Sequence, residues 1–150
     1  MTSLPVKQAP NNDWFRLSAV VIFAIVGIAK ILSASGDAKI LAIADPILGL
    51  QFGHVMVVVG ALELAIAVLC LINRFQGLST ILIAWFATNL LAYRLGLWWI
   101  GWRGACKCLG TLMDAIHIPP GVADNIMKVV LAYLFIGSYS ILFRQWRANR

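Results

Sequence analysis

Four long apolar stretches separated by short polar breaks organise this chain: Leu17 to Leu32, Phe52 to Ile72, Leu78 to Ile100 and Ile126 to Phe143. A helix needs about 20 mainly apolar residues to cross roughly 30 Å of hydrocarbon, and all four qualify as spans. None alternates in polarity residue by residue, as the wall of a transmembrane barrel would. The pattern predicts an all-α, polytopic membrane protein. One four-transmembrane-helix bundle occupies 17–143, between a cytoplasmic tail over 1–16 and a basic cytoplasmic tail over 144–150. Within the first tail, Met1 to Asn12 carries Pro5, Pro10, Asn11 and Asn12 and reads as mobile. Ser33 and Ser35 would suit a signal-cleavage site, but Asp13 and Lys30 spoil the charge pattern of such a segment, so the first stretch is expected to stay as a true helix.

The break between the third and fourth stretches has a pattern of its own. Leu109, Leu112, Met113 and Ile116 follow i, i+3, i+4, i+7 spacing, while Asp114 and His117 fall off that stripe. This predicts a short interfacial helix, ended by Pro119, Pro120 and Gly121 before the fourth span.

Composition points the same way. With 61% hydrophobic and 12% charged residues, the 150-residue chain has too little polar surface for a soluble globule, and membrane lipid is its expected surroundings. The net charge of +6 raises nucleic acid as a partner, but the basic residues do not gather on one soluble face. They sort by membrane side. Lys7, Arg16, Arg74, Arg144, Arg147 and Arg150 share a face whose sole acid is Asp13, whereas Lys39, Arg103, Lys107 and Lys128 are diluted by Asp37, Asp45, Asp114 and Asp124. The positive-inside rule then makes both termini cytoplasmic and the third break external. Trp98, Trp99 and Trp102 mark one interface and Trp14, Phe15 and Trp146 the other; Trp85 falls mid-span and reads as packing.

The candidate chemistry lies in that external break. Cys106 and Cys108 are separated by one residue, in the segment Cys106-Lys107-Cys108-Leu109-Gly110, on the side of the membrane where disulfides persist. Cys108 falls near the start of the expected interfacial helix, where the dipole together with Arg103 and Lys107 favours a thiolate. A disulfide across one residue closes a tight ring that strain would make easier to reduce. An inert structural disulfide and two idle thiols remain alternatives. A metal site from Cys106, Cys108, His117 and His54 can be written, but the histidines lack short metal-site spacing and no metal is expected. Cys70 reads as a small buried hydrophobe.

Three charged residues sit inside the spans. Glu63 lies eleven residues after Phe52, roughly 16 Å deep, where it needs a cationic partner or a proton. Lys30 and Arg94 lie about one turn below the external interface and can either snorkel outward or turn in to meet Glu63. Gly27 and Gly60 each stand three residues before a charged residue, Lys30 and Glu63, and would admit a neighbouring helix closely.

Gly27-x-x-Lys30, Gly60-x-x-Glu63, Tyr93-Arg94 and Cys-x-Cys-x-Gly together resemble the DoxX-like membrane proteins, and most closely their methylamine-utilisation MauE branch. The likeness covers Leu17 to Phe143, although Leu109 stands where many relatives carry an aromatic residue. It implies a four-helix inner-membrane protein in thiol redox or protein maturation. Cys106 and Cys108 would be the working pair, with a periplasmic thioredoxin-like partner. The DoxX side of the resemblance further implies a quinone as electron acceptor, whereas Lys30, Glu63 and Arg94 carry over only as matching polar positions; Arg94 is, on its own position, a candidate hydrogen-bond donor to a quinone carbonyl. No cofactor is demanded by the residues themselves. The competing readings are a non-enzymatic scaffold subunit with a static disulfide, and a small transporter using Glu63 for proton coupling; no inverted repeat or broken span supports the second.

Overall fold

The structure is a computed structural model that describes residues 11–35, 39–72, 76–101 and 120–148. It contains four long helices: α1 (Asn11–Ala34), α2 (Phe52–Ile72), α3 (Gln76–Trp99) and α4 (Pro120–Ala148). All four are long and apolar enough to cross a membrane, and the protein is a multi-pass all-α bundle. Among the described residues the one β feature is an isolated bridge between Ala44 and Gln51.

The α2 bounds coincide with the apolar stretch, while α1 and α4 overrun theirs. Helix α1 starts at Asn11 rather than Leu17, so the end of the expected tail is helical. Asp13 in its first turn suits the positive end of the helix dipole and pairs with Arg16 at 3.5 Å. Phe15 then gives this extra turn a buried contact, its ring filling the notch left by Gly137 of α4. Helix α4 begins with Pro120, whose missing N–H costs nothing at a first helical position. It continues past Phe143 to Ala148, with Arg147 in its last turn lying 5.3 Å over the Phe143 ring.

Lipid is as apolar as leucine, so packing and polar contacts must hold such helices together. The helices pair as two hairpins, α1 with α2 and α3 with α4. At the end where α1 begins and α4 finishes, the hairpins share one core. Phe15, Ala19 and Phe23 of α1 meet Ile66 and Cys70 of α2, Ile83 and Phe86 of α3, and Leu134 of α4. Phe23 and Phe86 meet edge to face at 5.5 Å. Hydroxyls add cross-links: Ser18 with Tyr133 at 2.7 Å and Thr88 with Tyr139 at 3.0 Å.

The opposite end, called here the loop end, is packed differently. Of the α4 residues whose side chains are described, none before Leu131 is buried, and α3 has no buried side chain between Thr88 and Gly96. The hairpins therefore part toward the loop end. A strap formed by 43–51 bridges them. Asp45, only 1% exposed, organises this strap. Its Oδ1 accepts from the N–H groups of Ile47 (2.8 Å) and Leu48 (2.9 Å), an Asx-type turn closed by Gly49 at φ 68°. Its Oδ2 accepts from the Tyr93 hydroxyl of α3. Ile47 meanwhile sits over Gly96, one turn further along the same helix face.

Candidate functional site

The site is built from the α1–α2 contact outward. Gly27 and Gly60 bring the antiparallel backbones together, so that a β-carbon added at either would lie 2.9 Å from the other's carbonyl oxygen. Each glycine also faces the β-carbon of the other helix's charged residue, Gly27 that of Glu63 and Gly60 that of Lys30, both at 3.2 Å. Helical side chains lean toward their own N-terminus. On antiparallel helices, Lys30 and Glu63 consequently lean toward one another, and Lys30 Nζ donates to Glu63 Oε1. Both are buried, at 5% and 1% exposure. Lys30 thus turns inward and does not snorkel, and of the two cations open to Glu63 it is Lys30 that pairs. Glu63 Oε2 has no hydrogen-bond partner among the described residues.

Arg94 takes a different acid. Its guanidinium donates to Asp124 Oδ1 of α4 at 3.2 Å, and Asp124 also binds Lys128 at 2.6 Å one turn on. This pair ties α3 to α4 where apolar packing between the hairpins has given out.

Where the hairpins part they leave a cavity of about 360 Å³, within the range of small-molecule sites. Its wall is mainly apolar, with Lys30, Glu63, Asn89, Tyr93 and Arg94 as polar points, and Leu48 of the strap closes the loop end. Of the three charged residues singled out from the sequence, all therefore face one cavity. Trp85, expected to be packing, instead stands at its rim with 57% exposure. Asp45 was legible only as a diluting acid. Its role depends on Tyr93, 48 positions away, which no local pattern links to it.

Cys106 and Cys108 lie outside the described residues, as do Arg103, Lys107, His117 and the expected interfacial helix. Cys70 is fully buried, its thiol 3.9 Å from the Ser79 carbonyl, as a small hydrophobe should be. His54 is exposed near the start of α2. Among the described residues, no cluster of three potential metal ligands occurs. Comparison with protein-family models, curated proteins and solved structures finds no match for the chain.

Proposed function

We propose that this chain is an inner-membrane thiol-disulfide redox protein, with both termini cytoplasmic and the Cys106-x-Cys108 connection external. A periplasmic thioredoxin-like protein reduces the Cys106–Cys108 disulfide by thiol–disulfide exchange and leaves with a disulfide of its own. The resulting dithiol is reoxidised by a quinone held in the cavity: two electrons and two protons pass to the quinone, giving a hydroquinone and restoring the disulfide. Arg94 donates a hydrogen bond to the quinone carbonyl.

One observation carries this reading. The cavity, with Lys30, Glu63, Asn89, Tyr93 and Arg94 as its polar points, lies beneath the strap at the loop end, where α3 finishes at Trp99 and α4 starts at Pro120, the two helix ends that flank the connection bearing the cysteines. A membrane-soluble acceptor site at the foot of a dithiol-bearing connection is what transfer from thiols to a membrane carrier requires.

The test is thiol trapping in intact cells with a membrane-impermeant alkylating reagent. Cys106 and Cys108 should be protected when oxidised and labelled after external reduction. A pair that stays in one state under every redox condition would defeat the proposal, as would labelling confined to permeabilised cells.

A further inference from the structure

The cavity has a window at hydrocarbon depth. On its α1 and α4 walls, Phe23, Val26, Leu131 and Leu134 are buried. On its α2 and α3 edges, Leu62 is 44% exposed, Trp85 57%, and Asn89 is exposed as well. Leu62 lies ten residues into α2 and Trp85 nine into α3, which puts both about 14 Å along their helices, near the bilayer midplane. This gap faces acyl chains, so whatever fills the cavity arrives dissolved in lipid.

Two further observations narrow its chemistry. Each charged residue lining the cavity already has a counter-charge, Lys30 in Glu63 and Arg94 in Asp124, which Lys128 shares. Glu63, which lines the cavity, also carries Oε2, a buried acceptor with no partner among the described residues, in a wall that is otherwise mostly apolar. A carboxylate oxygen in such surroundings forms a strong charge-assisted bond with any donor that reaches it.

We infer that the cavity binds an uncharged, lipid-borne molecule bearing a hydroxyl, admitted between α2 and α3, whose hydroxyl donates to Glu63 Oε2. This deepens the proposed function and rests on its reading of the cavity as a ligand site. Lys30 acts as a positioning residue, since its bond to Oε1 fixes the carboxylate and leaves the second oxygen for the ligand.

The full chain in phosphatidylcholine nanodiscs is labelled with a diazirine-bearing hydrophobic phenol or with its methyl analogue, which matches it in size and lacks the donor. Crosslinked peptides are mapped by mass spectrometry. Residues of the α2–α3 window and cavity, such as Val59, Leu62 and Leu90, should label about tenfold more with the phenol, the size of effect a hydrogen bond to a charged group produces. The Lys30→Met, Glu63→Met double variant removes the pair together and should label equally with both probes. Unchanged labelling by the methyl analogue reports that its cavity has kept its shape. Glu63→Gln, which retains a carbonyl acceptor without the charge, should show a smaller preference. Equal labelling by both probes in the wild type would overturn the inference, because water alone then serves Oε2. Label confined to outward positions such as Val129 and Ile136 would do so too. The assay contains no thiol step. Selective labelling with idle cysteines would defeat only the redox proposal, and cycling cysteines without selective labelling would defeat only this inference.

Discussion

Gly27 and Gly60 stand backbone to backbone, each blocking the space into which the other could grow a side chain. The obstruction on both sides is a carbonyl oxygen, which cannot move without moving its helix. Gly27→Ala or Gly60→Ala should therefore force α1 and α2 apart and cost about 1–3 kcal/mol, the usual penalty for overpacking. Gly77 is the contrasting case, with nothing within 4 Å of an added β-carbon. Gly77→Ala should be neutral or mildly stabilising, since alanine is the better helix former. Reversible unfolding in mixed detergent micelles would compare the three, and equal stability of all of them would contradict the close approach.

Lys30 and Glu63 are expected to be interdependent. Lys30→Met leaves a buried carboxylate uncompensated, and Glu63→Met leaves a buried ammonium, so each single change should cost about 3–5 kcal/mol. The double variant removes both charges and fills the space with flexible apolar chains. It should lie within about 1–2 kcal/mol of the wild type. A double-mutant cycle from the same unfolding assay gives the coupling, and additive losses would mean that the two residues act separately.

Asp45 and Tyr93 hold the strap with unequal shares. Tyr93→Phe removes one hydrogen bond and should cost about 1 kcal/mol, whereas Asp45→Ala strips the Ile47 and Leu48 amides of their acceptor as well and should cost more. Amide hydrogen exchange separates the two. In Tyr93→Phe the Ile47 and Leu48 amides should stay protected within the turn, while in Asp45→Ala they should exchange at rates typical of a loop. Identical exchange in both variants would show that the turn does not depend on the carboxylate.

How much of this was legible in the chain depended on the range of the physics involved. The spans could be read because crossing a bilayer imposes a local requirement, a continuous apolar run of fixed length, and α2 meets it residue for residue. The ends of α1 and α4 could not, because Phe15 extends α1 through a contact with Gly137 that is remote in sequence. Lys30, Glu63 and Arg94 announced themselves by being charged where charge is costly. The choice of partner was beyond sequence: Glu63 had two available cations, and the Gly27–Gly60 crossing decided for Lys30. Arg94 was left for Asp124, which sequence alone showed only as one more acid near an interface. Trp85 was misjudged because mid-span aromatics usually fill cores, and the parting of the hairpins that places it on a rim is a property of the whole bundle.

Arg94 offers a way to separate a role in chemistry from one in architecture. Its bond to Asp124 is shared, since Asp124 keeps Lys128 at 2.6 Å whatever stands at position 94. Arg94→Gln should therefore leave the fold nearly intact, with a loss of about 1 kcal/mol or less, because the surviving pair still satisfies the acid. The proposed reaction would suffer more. Without the guanidinium, the quinone carbonyl loses a charge-assisted bond that strengthens as negative charge develops on its oxygen, and reoxidation of the Cys106–Cys108 dithiol should slow at least tenfold. Stopped-flow absorbance of a short-chain quinone mixed with prereduced protein in nanodiscs measures that rate. Asp124→Asn is the control for geometry: it removes the charged tether, retains an oxygen acceptor and leaves Arg94 in place, so it should slow the reaction less. If Asp124→Asn and Arg94→Gln slow it equally, the arginine acts by bracing α3 against α4, and the acceptor is bound without it.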